Sequence, residues 1–516
     1  MSKIYGADYG TGSGAVAEYE PDYMKSKIVR DEDGNETIPT TYVDGPTWES
    51  QIYGIAAESG QAVYQCIKSA KTQVMKDVAY TKEGVKYNPK YVVRNSISHW
   101  LSDMEESIGK PIRDLVITYP VYLDELGPEA LHSYRELFEK NMKPGGVNRC
   151  VRGMISEPQA AAFSHWNPEQ EEQTMMVVDS GKGTTDLCVV EFQNKNGQHY
   201  IFTKDAYGEI FGGDDWDLLL YEFFEKQLIR QGIAYRQDIK LLKELHAKCE
   251  EIKINMSTRK DEKVEFYLFA NQNNKYVYFA ITKKEYNQIF MQFWKKMKDL
   301  LEKYTKMIDT MQIDKVLLVG GTCSNVILQK HLKEYFSQGP YQNVKVIAHK
   351  EKTAVAIGAA NYAHWVLEEQ EQIHLRGLGP KEPQVKVELE SSDSLGVKCV
   401  ARTGEEYIGN IIRKGSSFPC TDTRVFGIAK NGLESIHLQV YWNESEEATV
   451  DLNKGTHIGE VEIDISMIPV TVEHLVKVMF SMPSQGIVNA ELTFFDRDWN
   501  FLGHRRAQNP FKFKRR

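Results

Sequence analysis

Residues 175–192 read MMVVDSGKGTTDLCVVEF, and this stretch decides the fold. The apolar run Met175 to Val178 predicts a strand, and Asp179 ends it. Ser180-Gly181-Lys182-Gly183-Thr184 is a glycine-rich turn, after which Leu187 to Phe192 resumes as a second strand. The same order opens the chain, where Lys3 to Ala7 runs into Asp8-Tyr9-Gly10-Thr11-Gly12 and then Ala15 to Tyr19. Asp8 and Asp179 lie 171 positions apart. That spacing suits two related lobes better than a solenoid, whose repeats run about 20–50 residues.

Working outward, the short apolar runs Asp114 to Tyr119 and Lys315 to Val319 alternate with helix-like segments. These are Tyr91 to Ser107, Pro128 to Asn141 and Lys283 to Ile308, giving the rhythm of an α/β domain. The last such helix is predicted from Thr353 through Trp365 to about His374. A breaker cluster follows at Gly377, Gly379, Pro380 and Pro383. Beyond it come strand-like runs only: Leu395 to Ala401, Arg424 to Ile428, Ile436 to Trp442, Ile458 to Ile463, Leu475 to Phe480 and Val488 to Phe495. The reading is an α/β domain over residues 1–376, a linker over 377–390, an all-β domain over 391–500 and a basic tail over 501–516.

Composition narrows the function class. Over 516 residues, 63 Lys+Arg against 72 Asp+Glu give a net charge of −9, which argues against a nucleic-acid coat. Hydrophobic residues at 41% are enough for real cores, yet no apolar run reaches the roughly 18 residues that span a bilayer. The seven cysteines are scattered with no Cys-x-x-Cys pair, so reduced thiols and no zinc site are expected. With no apolar stretch behind a positive start, a cytoplasmic location is expected, without membrane or nucleic-acid partners.

A glycine-rich hairpin lets backbone N–H groups face an anion, because glycine has no Cβ to block the approach. Two such hairpins, one per lobe, would close on a polyphosphate from opposite sides, each with an aspartate placed to hold a hydrated Mg²⁺. A single Asp-x-Gly turn is more often an ordinary β-turn; the matched pair is the signal. Gly212-Gly213 and Gly320-Gly321, each opening a helix, suit a ribose or base laid on backbone, or plain loop chemistry.

At this point the motifs form an ordered series: GADYGTG (6–12), VITYPVYL (116–123), ISEPQAAAF (155–163), VVDSGKGTTD (177–186), FGGDDWD (211–217), CEEIKINMS (249–257), VLLVGGTCS (316–324) and AVAIGAA (354–360). The series resembles the seventy-kilodalton heat-shock chaperones of the DnaK type, within the actin-like ATPase superfamily. SLGV (394–397), GSSFPC (415–420), IHLQVYWNES (436–445) and GIVNAEL (486–492) extend the resemblance into the β region. It implies a two-lobed, actin-like ATPase domain with duplicated ribonuclease-H-like lobes, followed by a β-sandwich that binds extended apolar peptides.

The resemblance also implies roles. Asp8 and Asp179 would hold Mg²⁺ through waters, while Thr11, Gly12, Gly181, Lys182, Gly183 and Thr184 would cradle the phosphates of ATP or ADP. Lys68 would position the attacking water, assisted by Glu157 and Asp186, and Pro120 would switch between nucleotide states. Gly213, Glu250, Lys253, Ser257, Gly320 and Gly321 would surround ribose and base. In the β domain Ile436 would line the peptide pocket, Val397, Phe426, Ile428 and Ile487 would wall it, and Val400 and Ala429 would arch over the peptide. Client peptides, a J-domain co-chaperone and a nucleotide-exchange factor would be the partners.

Without that series each residue has a plainer reading. Lys68 alone would be a solvated charge, Glu157 a helix-starting acid before Pro158, and Asp186 a turn residue. The chain also departs from the family. Lys182 replaces a phosphate-loop glycine, Ile254 and Ser324 replace two arginines beside adenine, and Lys352-Thr353 replaces an acidic pair. Val385 to Glu390 alternates apolar and charged residues where the family linker is leucine-rich, predicting an edge strand able to dock on the ATPase domain. With no helical period after the β domain, no lid is expected, and the basic tail with His504-Arg505-Arg506 and Lys512 to Arg516 reads as solvated and disordered or, less often, as meeting an acidic partner. Two readings result: a slow ATPase chaperone, or an adaptor that uses a decayed ATPase fold as nucleotide sensor or scaffold.

Overall fold

A computed structural model describes residues 3–20, 25–59, 65–75, 79–82, 85–126, 128–167, 170, 172–195, 198–258, 262–308, 312–338, 341–342, 344–348, 352–368, 385–390, 394–401, 403–414, 416–418, 420–484, 487–507 and 511–512. The breaker cluster at 377–383 and residues 513–516 of the basic tail lie outside them. The chain divides into two compact units, one of residues 1–122, 133–199 and 206–386, the other of 123–132, 200–205 and 387–516.

In the first unit, one sheet is built from β1 (Ile4–Tyr9), β2 (Ser13–Glu20), β3 (Lys25–Val29), β4 (Asp114–Tyr119) and β5 (Cys150–Ser156), in the order β5-β4-β1-β2-β3. β1 pairs antiparallel with β2 and parallel with β4. α1 (Pro89–Ile108) ends at Gly109, whose φ of 67° closes it in the left-handed conformation that glycine adopts freely. α2 (Glu157–Ser164) follows β5 directly, with Ser156 in the N-cap position and Gln159 completing a capping box.

A second sheet repeats the plan. β6 (Glu172–Ser180) pairs antiparallel with β7 (Thr185–Lys195) and parallel with β8 (Lys315–Val319), which pairs parallel with β9 (Lys345–Ala348). Thus Asp8 and Asp179 each stand near the C-terminal end of a strand flanked by one antiparallel and one parallel neighbour. α3 (Gly213–Arg230), α4 (Ile239–Thr258), α5 (Lys283–Met307) and α6 (Val326–Phe336) share one core with this sheet, including Trp216, Phe224, Phe290 and Leu318. Burial of such side chains contributes about 1.5–3 kcal/mol each.

α7 (Ala354–Tyr362) is sealed backbone to backbone. A Cβ on Gly6 of β1 would stand 2.3 Å from Ala360 N, and one on Gly358 would stand 1.6 Å from Ala160 O of α2. Only glycine fits at either position. α7 continues as a π-helical turn, Ala363–Glu368, and the expected extension to His374 passes outside the described residues.

The second unit holds two antiparallel sheets around one core. The strands are β10 (Ser394–Val400), β11 (Glu406–Ile412), β12 (Cys420–Gly427), β13 (Ser435–Asn443), β14 (Thr449–Asp451), β15 (Thr456–Asp464), β16 (Leu475–Ser484), β17 (Ile487–Phe495) and β18 (Phe501–Arg506). The sheets run β14-β11-β10-β13-β15 and β12-β16-β17-β18, and Val440, Val461, Phe480 and Leu492 meet between them. Leu389, in the strand Val385–Glu390, pairs with Phe418.

The start of the basic tail is a strand: β18 pairs with β17, and both His504 and Arg506 reach Glu491, at 3.2 and 3.1 Å. An acid on the neighbouring strand gives the basic side chains a partner that composition alone does not reveal.

Candidate active site

The two glycine turns are built alike. Gly10 N donates to Ser13 O at 3.0 Å, and Gly181 N donates to Thr184 O at 2.9 Å, each bond starting two residues after the strand-end aspartate. The turns face each other: a Cβ on Gly183 would stand 2.8 Å from Thr11 Cγ2, and one on Gly12 would stand 3.1 Å from Lys182 Cδ. A cavity of about 110 Å³ lies here, lined by both turns with Asp8, Glu157, Asp179, Gly320, Gly321 and Lys352.

Two further glycine pairs brace the second turn. Gly213 N and Asp214 N donate to the carbonyls of Gly181 and Lys182, at 3.1 and 2.7 Å. From the other side Thr322 N donates to Ser180 O, and Thr322 Oγ1 donates to Gly181 O at 2.7 Å. Gly320 has φ 85°, and a Cβ there would lie 2.5 Å from Asp179 Oδ1. The turn's carbonyls are therefore committed to these braces.

Beside the turns lies a cluster of buried carboxylates. Asp179 and Asp186 are direct cross-strand partners on β6 and β7, so two like charges stand opposite each other. Burial, followed by Glu157, pushes Asp8 up to about 7 and Asp186 up to about 8; burial with Glu157, Asp186 and Asp8 raises Asp179 well above the carboxylate range. Thr118 Oγ1 donates to Asp8 Oδ1 at 2.8 Å. Val121 N, just after Pro120, donates to Asp186 Oδ1 at 3.0 Å, while Asp186 Oδ2 is buried without a hydrogen-bond partner.

The cation inside this cluster is Lys71. Its side chain is 4% exposed and its ammonium is ion-paired with Glu157. Burial alone would lower its pKa, but Glu157 and its neighbours hold it well above the ordinary lysine value. Lys71 lies in a 3₁₀ turn, Ala70–Gln73, entered through Ser69 at φ 57°, a strained value for a non-glycine residue. Thr72 of the same turn covers Gly183, whose Cβ would meet Thr72 Cγ2 at 2.4 Å. Glu157 is thus both the acid in the first turn of α2 and the ion-pair partner of Lys71.

Lys68, the lysine singled out from the sequence, lies elsewhere. It pairs with Glu58 at 2.9 Å and stands 3.9 Å from Glu250. With Glu250, Lys182, Asp217 and Lys243 it lines a second cavity of about 340 Å³. Lys253 bonds Asp217 at 2.7 Å and Gly213 O at 3.1 Å, and Ser257 Oγ donates to Ile254 O on the same helix. Ile254 is exposed. Asp8, Thr11, Gly12, Glu157, Asp179, Gly181, Lys182, Thr184, Gly320 and Gly321 therefore share the small cavity; Lys68 and Glu250 do not line it.

In the second unit, Val397 and Ile428 are buried in the common core, with Phe426 and Ile436 packed against it. Val400 and Ala429 are exposed. The side chain of Ile487 lies outside the described residues.

The donors around the small cavity are carboxylate and hydroxyl oxygens, which suit Mg²⁺. Among the described residues no three acidic, histidine or cysteine side chains converge to ligate a metal directly. Asp8 and Asp179, both lining this cavity, are donors of the kind Mg²⁺ takes.

The family model described as Hsp70 protein matches residues 44–494. The chain belongs to the Hsp70 family. This Hsp70 chain is 24% identical over 486 residues to the chaperone protein dnaK3 of Thermosynechococcus vestitus (strain NIES-2133 / IAM M-273 / BP-1). That match covers 88% of the Hsp70 chain and 66% of the cyanobacterial protein, so the chain spans just under two thirds of that relative. Among its described residues no helix is long and apolar enough to cross a membrane.

Proposed function

We propose that the chain is an ATP-dependent chaperone of the Hsp70 type, hydrolysing ATP slowly with Mg²⁺ and coupling this to binding of extended apolar peptides. In this reading residues 1–376 form a two-lobed actin-like ATPase domain, 377–390 the linker and 391–500 a peptide-binding β-sandwich. The observation that carries the proposal is the buried Lys71–Glu157 pair, which interacts with Asp8, Asp179 and Asp186 and whose Glu157 lines the cavity between the two glycine turns.

Backbone N–H groups of the turns and the hydroxyls of Thr11 and Thr184 would hold the phosphates. Lys71, fixed in direction by Glu157, would orient a water in line with the terminal phosphorus and balance the charge that develops there. Asp186, with a raised pKa and a free Oδ2, is suited to accept the proton of that water. Mg²⁺, when held through waters by Asp8 and Asp179, would neutralise the phosphate oxygens.

Single-turnover hydrolysis of ATP by the full chain, with Mg²⁺ and with a chelator, tests the reading. Expected is slow, Mg²⁺-dependent release of one phosphate. A chain that binds ATP but releases no phosphate would overturn the enzymatic part.

A further inference from the structure

Lys182 borders both cavities of the first unit. Its backbone is immobilised, because its carbonyl accepts from Asp214 N and the next turn of chain is tied to Gly181. Its stem crosses the facing turn, with Cβ and Cδ 3.2 and 3.1 Å from the place a Gly12 Cβ would occupy, closer than ordinary van der Waals contact. Its ammonium ends on Glu250 of α4, at 2.9 Å.

Glu250 is an unusual resting place. Burial would raise its pKa, but Lys182, Lys253 and Lys68 together hold it down to about 2. Lys68 also stands 3.9 Å from Glu250, so Lys182 is a cation that can leave with a second ammonium still beside the carboxylate. It is also the one whose Cα sits within the anion-facing turn. A lysine stem rotates over several ångströms with no backbone movement.

We infer that Lys182 is a specificity-determining residue of the site, its ammonium exchanging Glu250 for the phosphates of a bound polyphosphate. The inference rests on the nucleotide reading above and deepens it: affinity is set by the ligand's phosphate charge, and Glu250 acts as a competitor for the same cation. Charge-assisted bonds to phosphate are among the stronger ones available, so a polyphosphate wins that competition where a nucleoside does not.

The test is calorimetric binding of inorganic tripolyphosphate, ATP and adenosine to the full chain. Lys182→Met preserves the stem against Gly12 and removes the charge; it is expected to weaken tripolyphosphate and ATP about ten-fold and leave adenosine unchanged. Glu250→Gln releases the lysine and is expected to tighten tripolyphosphate about five-fold. In the double variant the gain should vanish, because there is no ammonium to release. The inference is overturned if Glu250→Gln leaves tripolyphosphate affinity unchanged, or if its gain survives in the Lys182→Met background as a general field effect. Wild-type chain that binds neither ATP nor tripolyphosphate would remove the nucleotide reading itself. ATP binding retained with no response to either substitution would remove the inference alone.

Discussion

Lys71 stands among four carboxylates, and three of them carry raised pKa values because burial and mutual repulsion disfavour their charge. Removing such a cation leaves Glu157 buried without its partner, which typically costs about 3–5 kcal/mol. Lys71→Ala should therefore lower both thermal stability and turnover, whereas Lys71→Met keeps the packing and isolates the charge. For Lys71→Met we expect single-turnover hydrolysis reduced at least about 100-fold, with ATP binding largely retained because backbone groups hold the phosphates. Lys68→Ala should hydrolyse ATP within about three-fold of wild type, since Lys68 pairs with Glu58 and not with the buried carboxylates around Lys71. Equal loss in both variants, measured as phosphate release, would refute this division. The two lysines are three residues apart in one run, so residue type alone cannot separate them. Cys66, Ile67, Ser69, Ala70 and Val74 are buried with Lys71, and the left-handed step at Ser69 starts a new turn between the two lysines, so no single helical period runs through both. A helical period could not have found the buried lysine, because the backbone changes hand between Lys68 and Lys71.

At the scale of elements, strands with an apolar core were legible because burial and alternation write themselves into composition. β4 and β8 begin and end where their apolar runs do, and α5 differs from its predicted span by a single residue. β18 was not legible, because it exists by pairing along β17 and its basic side chains find their acid, Glu491, on that other strand. A second case is the turn Trp48–Ser50 beside α1. His99 of that helix stacks on Trp48 with ring centroids 3.5 Å apart, and its Nε2 lies 2.9 Å from Gln51 Oε1. Burial, followed by the nearby Lys143, depresses His99 from 6.5 to about 4. The folded chain therefore binds fewer protons than the unfolded chain between those values. The stability this contributes is present above pH 6.5 and is lost as pH falls toward 4. The slope is at most about 1.4 kcal/mol per pH unit, and less in practice because the ring is partly solvated. Thermal melts of wild type and His99→Phe from pH 7.5 to 5 should diverge, with the wild type losing more. Parallel pH dependence would show that His99 titrates normally.

At the scale of the molecule, duplication was the most legible feature: two strands ending in Asp-x-Gly, 171 positions apart, mark two sheets that repeat one pairing pattern. What the sequence cannot specify is which surface residues of the β unit serve a ligand rather than the core. The run Ile436, Leu438, Val440 illustrates this, since Leu438 and Val440 are buried in the core and Ile436 packs only partly against it. An Ile436→Asp variant would place a charge against Val461 and Ile463, on the strand paired with β13, so loss of peptide binding would be confounded by unfolding. Val400 separates the two effects. It ends β10, is 61% exposed, and contributes nothing to the core that a polar residue would damage. If the β unit takes an extended peptide whose apolar side chains seek a pocket near Ile436, Val400 would supply contact over the peptide backbone. We expect Val400→Asp to melt within about 1 °C of wild type, as surface substitutions do. It should bind a labelled apolar peptide about five- to ten-fold more weakly, by fluorescence anisotropy on the full chain, because a desolvated carboxylate would face apolar groups. A Val400→Asp chain that melts normally and binds the peptide as tightly as wild type would exclude this face as the groove.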